Sequence, residues 1–187
     1  MSTPPSGGTE QSALLRDDRN GATLDKDREY RYRLWRTWDV EGPTVAFVML
    51  NPSTADENED DPTLRRCLNY AKEWGYGRLE VVNLFALRAT DPDELRKHEA
   101  PIGGANDVHL CQVCESAEKV VAAWGANGSL LERGREVAEM LDSNLYALGT
   151  TKGGHPIHPL YQPSDAEPEL WKTQSLRTKT GQDDFKR

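Results

Sequence analysis

A chain of 187 residues fits one domain with a proper core and is too short for two. Its 23 Lys and Arg stand against 31 Asp and Glu. The resulting −8 weighs against a strong non-specific nucleic-acid binder, which needs basic side chains to displace counterions from phosphates. Only 36% of residues are hydrophobic, and no apolar run reaches membrane-spanning length, so no membrane partner is expected. Three cysteines, Cys67, Cys111 and Cys114, suit a reducing compartment better than a disulfide framework, and the expected location is the cytoplasm. An acidic surface is also compatible with a salt-rich interior.

Residues 1–28 are rich in Ser, Thr, Gly, Pro and charge, a composition that predicts no stable order. Tyr30–Trp38 carries aromatic residues among arginines and reads as a strand with one covered face, at a sheet edge. Thr44–Leu50 is an unbroken apolar run, the pattern of a strand buried on both faces. Asp61 then caps a helix that Pro62 opens and Gly75 ends, with Leu64, Cys67, Leu68, Ala71 and Trp74 on one face. Arg78–Asn83 is the next strand. Asp91 and Pro92, with Glu94, open a short helix, and a second runs from about Ala105 to Ala117. Lys119–Trp124 is a buried strand, Gly128–Asp142 a helix and Asn144–Gly149 the last strand. Residues 163–187 form a polar tail.

The alternation of strands and helices predicts a single α/β domain over residues 29–162, a three-layer sandwich around a mainly parallel sheet. Such sheets bind ligands beyond the carboxyl ends of their strands. Those ends carry Asn51-Pro52-Ser53-Thr54, Asn83-Leu84-Phe85, Trp124-Gly125, and Gly149-Thr150-Thr151-Lys152 leading to His158-Pro159. The opposite ends carry ordinary turn residues such as Glu41-Gly42-Pro43. A lone Asn at a strand end is usually a turn residue, because its amide bonds nearby backbone. Two at corresponding positions raise the case for a ligand site. His158 outranks His155, although a proline follows and restricts each.

Asp56 and Asp60 remain free for water or a divalent cation, while Arg65 and Arg88 are the candidate phosphate contacts. Cys111 and Cys114, three apart on a helix, fit a buried face. A structural zinc needs four ligands, so neither metal nor cofactor is expected.

The string Leu50-Asn51-Pro52-Ser53-Thr54-Ala55-Asp56 is followed by Asp61-Pro62-Thr63, Trp74-Gly75-Tyr76, Val82-Asn83-Leu84-Phe85, Ala89-Thr90-Asp91-Pro92, Ala123-Trp124-Gly125 and His158-Pro159-Leu160. In this order the motifs resemble domain-of-unknown-function family 1643, over about residues 30–161. The order of parts is also similar to the uracil-DNA glycosylase superfamily, and that resemblance implies the corresponding fold. It further implies that Asn51 with Pro52 matches a water-positioning loop, Asn83 a base reader, and His158 with Pro159 a loop that stabilises the leaving base. Leu50 and Ser53 stand where that superfamily flanks Asn-Pro with glycine, and Leu160 stands where it has Ser.

The function this implies is an N-glycosidase-like hydrolase acting on a nucleobase in DNA or a nucleotide. Asn51, Asp56 and His158 are its catalytic candidates. Pro52, Ser53, Thr54, Asn83, Phe85, Trp124 and Lys152 are its substrate contacts. The alternatives are a non-catalytic nucleotide or nucleic-acid binding module on the same scaffold, and a metal-assisted phosphate hydrolase using Asp56 and Asp60. A monomer or weak oligomer is expected.

Overall fold

The computed structural model describes residues 19–172. Seven strands form one sheet: β1 (Asn20–Leu24), β2 (Arg31–Thr37), β3 (Thr44–Met49), β4 (Arg78–Asn83), β5 (Lys119–Ala122), β6 (Leu145–Ala147) and β7 (Glu169–Lys172). Their spatial order is β1-β2-β4-β3-β5-β6-β7. Four helices accompany them: α1 (Pro62–Glu73), α2 (Pro92–Lys97), α3 (Asn106–Ser116) and α4 (Arg133–Met140).

The sheet is mixed, which corrects the expectation of a mainly parallel one. β4, β3, β5 and β6 run parallel, whereas the β1–β2, β2–β4 and β6–β7 pairings are antiparallel. The strand over Tyr30–Trp38 exists as β2 but is not at the edge, because β1 pairs along it from Asn20↔Arg36 to Leu24↔Arg31. β1 and β7 both lie in stretches whose polar composition predicts no order. Each has a backbone ladder to hold it, and a ladder is indifferent to side-chain polarity. Residues 1–18 and 173–187, the rest of those two stretches, lie outside the described residues.

Period-two alternation divides the core. Val45, Phe47 and Met49 of β3 face α1, joining Leu64, Cys67, Tyr70 and Ala71. Ala46 and Val48 face the other way, joining Leu110, Val113 and Cys114 of α3 and Val137 and Ala138 of α4. Helices thus cover both faces. Cys114 is buried in this layer and Cys111 packs against it, so the helical pair serves the core, and burial pushes the Cys114 thiol up to about 12.

The helix signals hold for α1 and α2. The Asp61 carboxylate accepts from Leu64 N at 2.8 Å, Pro62 opens α1, and Gly75 takes φ +81° just past its end. Asp91 and Glu94 form a reciprocal capping box on α2. The expected helix over Gly128–Asp142 is instead split into a 3-10 turn (Ala126–Glu132) and α4. Leu131 and Glu132 sit at φ 52° and 56°, which no helix accommodates.

Topology fixes where a crevice opens. The chain leaves β3 to form β4 on one side, then crosses to form β5 on the other. Loops from β3 and β5 therefore diverge, and a crevice opens between them at their carboxyl ends.

Candidate functional site at the strand ends

A cavity of about 500 Å³ occupies this crevice, within the ~300–1,000 Å³ typical of small-molecule sites. The loop after β3 supplies Asn51, Ser53 and Ala55 to its wall, and β4 supplies Asn83. The segment after β5 supplies Trp124 and Gly125, and the loop after β6 supplies His158 and Tyr161. Arg31 and Asp61 add charge to the lining, and Thr63, Thr90 and Asn127 are its further polar residues.

Asn83 ends β4 and is 0% exposed. Neither its Nδ2 nor its Oδ1 has a hydrogen-bond partner among the described residues, so a full donor–acceptor pair stands unused in a residue of the cavity wall. Leaving such atoms unmet costs about 1–3 kcal/mol each. The backbone around it is held firmly. Asn106 Nδ2 donates to Asn83 O at 2.9 Å and to Leu84 O at 3.1 Å. The fully buried Arg133 adds a bond from Nε to Leu84 O at 3.0 Å.

Asn51 is used differently. Its amide group donates to Pro52 O at 3.0 Å and to Ala89 O at 2.8 Å, tying the loop after β3 to the segment after β4. Two carbonyl acceptors fix the orientation of the amide, and Oδ1, an acceptor, faces away from them.

His158 caps the short 3-10 turn Pro159–Tyr161, and its Nδ1 accepts from Leu160 N at 3.2 Å. An accepting Nδ1 puts the proton of the neutral ring on Nε2. Burial lowers the His158 pKa and outweighs the opposing pull of Asp61, so the ring is neutral and Nε2 is a donor. The loop is docked by Gly125, which takes φ +74° and donates from N to Pro156 O at 2.8 Å. His155 belongs to the neighbouring turn, where Thr151 N donates to its carbonyl, and it does not line the cavity.

Asn51, Ser53, Asn83, Trp124 and His158 thus share one cavity; the remaining candidates do not line it. The Asp56 carboxylate accepts from Asn58 N and Glu59 N at 2.8 and 3.0 Å, which holds its pKa below the usual carboxylate range and commits it to a turn. Asp60 pairs with Arg36 at 2.8 Å. Phe85 is fully buried in the α3–α4 layer and has no face for a ligand. Thr54 and Lys152 are exposed outside the cavity, and Pro52 is buried without lining it. Arg65 donates to Asp60 O at 2.7 Å. Arg88 lines an adjoining groove that shares Ser53, Ala89 and Thr90 with the cavity. Among the described residues, no group of three or more His, Cys, Asp and Glu is arranged to hold a metal ion.

Asp61, Arg31 and Tyr161 are among the cavity residues that escaped the sequence reading. Asp61 reads as a helix cap, and it is one. Arg31 and Tyr161 lie at the margins of the motifs, Arg31 in a strand that reads as an edge and Tyr161 just past His158-Pro159. Arg31 is 4% exposed and Tyr161 82%, so one is sunk in the wall while the other stands at the mouth. No spacing rule flags a lone arginine among several in a strand.

No curated protein and no solved structure matches the chain, and nothing in these comparisons supports the likeness to the uracil-DNA glycosylase superfamily. A family model does match, over residues 31–160, and it takes in every strand and helix from β2 to β6 together with His158 and the first two residues of its turn. On that span the chain belongs to the family described as "Protein of unknown function (DUF1643)".

Proposed function

We propose that the cavity binds a nucleobase, carried by a nucleotide or by DNA, and that the protein hydrolyses its N-glycosidic bond. The observation that carries this reading is the Asn83 amide, wholly buried with donor and acceptor both unpartnered in a cavity wall. A carboxamide of that kind matches the adjacent carbonyl and ring N–H of a base edge with two hydrogen bonds. Tyr161, exposed at the mouth beside His158, offers an aromatic face for stacking.

The chemistry asks little more of the protein. Water oxygen forms a bond to C1′ while the C1′–N bond breaks, and its electron pair leaves with the base. Asn51 Oδ1 orients the water, and Asp61 is the carboxylate within the cavity that receives its proton. The Nε2–H of neutral His158 donates to the leaving base, a stabilisation of roughly 3 kcal/mol for a well-aimed donor.

The test is release of free base from a panel of normal, deaminated and modified nucleotides and DNAs, with Asn83→Leu as the companion variant. Asn83→Leu removes two unmet polar atoms, so it folds with unchanged or slightly higher stability and abolishes turnover. Release by neither wild type nor any variant, with every substrate, overturns the hydrolase reading. A non-catalytic nucleotide-binding module then stands in its place. One observation favours that second reading: the Asn51 amide and the Asp56 carboxylate are both committed to backbone groups. Ligand binding that survives Asn51→Ala without turnover is its signature.

A further inference from the structure

Arg31 is the charged group least explained by the protein around it. Arg31 lines the cavity, yet it is 4% exposed. NH1 donates to Ala55 O at 2.6 Å, while Nε is buried with no partner among the described residues. No carboxylate of the described residues comes within ion-pairing distance of it, although Arg33 and Arg36 on the same strand pair with Glu80 and Asp60. The negative charge acting most strongly on it is Asp61, with Asp56 weaker, and the Asp61 oxygens already accept from Leu64 N at 2.8 Å and Ala55 N at 3.4 Å. Burial lowers the Arg31 pKa to about 10, with the charges of Arg88 and Arg36 adding to the fall and that of Asp61 opposing it. A buried guanidinium with an unmet donor and no counter-ion is costly, and an anion brought by a ligand offsets that cost.

We infer that the ligand of this cavity is a nucleoside monophosphate, with its phosphate on Arg31 and its base on Asn83. The base half rests on the reading proposed above; the phosphate half stands on Arg31 alone. Planar guanidinium donors suit phosphate oxygens, and Arg88 borders the adjoining groove to extend the cationic wall. A monomeric phosphate is favoured over a polymer because Arg31 is enclosed and the chain carries a net −8.

The experiment is calorimetric titration of the full chain with inorganic phosphate, nucleoside monophosphates, the matching nucleosides and a single-stranded oligonucleotide. Arg31→Met and Arg31→Lys are titrated alongside, with circular dichroism to establish that each folds. Wild type should bind a monophosphate roughly 10- to 100-fold tighter than its nucleoside, the range for hydrogen bonds to a charged group. That ratio should fall to about one in Arg31→Met and partly recover in Arg31→Lys. Comparison of ligands on wild type alone keeps the test valid if either variant fails to fold. Phosphate binding with no preference among bases supports the role of Arg31 and overturns the base reading. A nucleoside that binds as tightly as its monophosphate overturns the Arg31 assignment and leaves the base reading standing. Preference for the oligonucleotide overturns the monomeric ligand, and no binding by any probe overturns both.

Discussion

His158 and His109 each lose something by taking a proton in the folded protein. His158 Nδ1 accepts from Leu160 N, which a doubly protonated ring cannot do, and burial lowers its pKa. His109 has a buried, unpartnered Nδ1; burial and the nearby Arg33 lower its pKa as well. The unfolded chain protonates both near pH ~6.5, so between that value and the lowered folded values it binds more protons. Their stabilisation is therefore complete above about pH 6.5 and is lost as pH falls from there toward the folded values. Asp56 and Glu57 have depressed pKa values, so their contribution is lost only lower, from the ordinary carboxylate range downward. Urea midpoints should hold between about pH 8 and 7 and drop between about 6.5 and 5.5, with a shallower drop in His158→Gln. A midpoint flat across that window in wild type refutes the account. Asn83 shows the same lesson at neutral charge: a side chain that gains nothing from its own fold is one to explain by a ligand.

At the scale of elements, glycines set the floor of the site. Gly128, in the 3-10 turn after β5, packs so closely on Trp124 that an added Cβ would lie 2.0 Å from Cδ1 and 2.5 Å from Nε1. Gly134 at the start of α4 approaches the same indole, where a Cβ would meet Nε1 at 3.0 Å. Trp171 closes the other side edge-on at 5.5 Å. The indole is thus wedged, 2% exposed, and part of the cavity wall. Gly128→Ala must displace the ring and should cost about 1–3 kcal/mol, the range for overpacking. Gly104→Ala, with nothing within 4 Å of the new methyl, should change stability by no more than about 0.5 kcal/mol. Denaturant unfolding of both variants checks this, and equal midpoints defeat it. Capped helices such as α1 and α2 were legible because their signals are local, one carboxylate and one amide a few residues apart. The break before α4 was not, since Leu131 and Glu132 are ordinary helix residues and nothing in the local sequence signals their positive φ.

Across the whole molecule, the chain beyond His158 acts as a strap. β7 pairs with β6, and Tyr70 OH donates to Pro163 O at 2.5 Å. Trp74 Nε1 donates to Ala166 O at 3.2 Å, and Trp171 Nε1 to Gly154 O at 3.3 Å. The loop bearing His158 is held between β6 and this strap. A chain ending at Gln162 should lose about 2 kcal/mol or more and melt at least about 5 °C lower. Calorimetry of the two lengths decides it; an unchanged midpoint would mean the strap bears no weight. The stretch Glu169–Lys172 gave no strand signal because half of it is charged, and what orders it is an exposed edge of β6 supplied by residues far earlier in the chain.

Residue pattern by itself determined the buried strands, the two capped helices, the core role of Cys111 and Cys114, and the delivery of Asn51, Asn83, Trp124 and His158 to the carboxyl ends of the strands. These follow from periodicity and short-range hydrogen bonding, which are written in consecutive residues. Tertiary structure alone decided which atoms are already spoken for. It turned Asn51 toward Ala89, spent Asp56 on a turn, sealed Phe85 in the core, and left Arg31 and Asn83 with buried groups that nothing among the described residues satisfies. Hydrogen-bond satisfaction is a property of neighbours in space, and a sequence lists only neighbours along the chain.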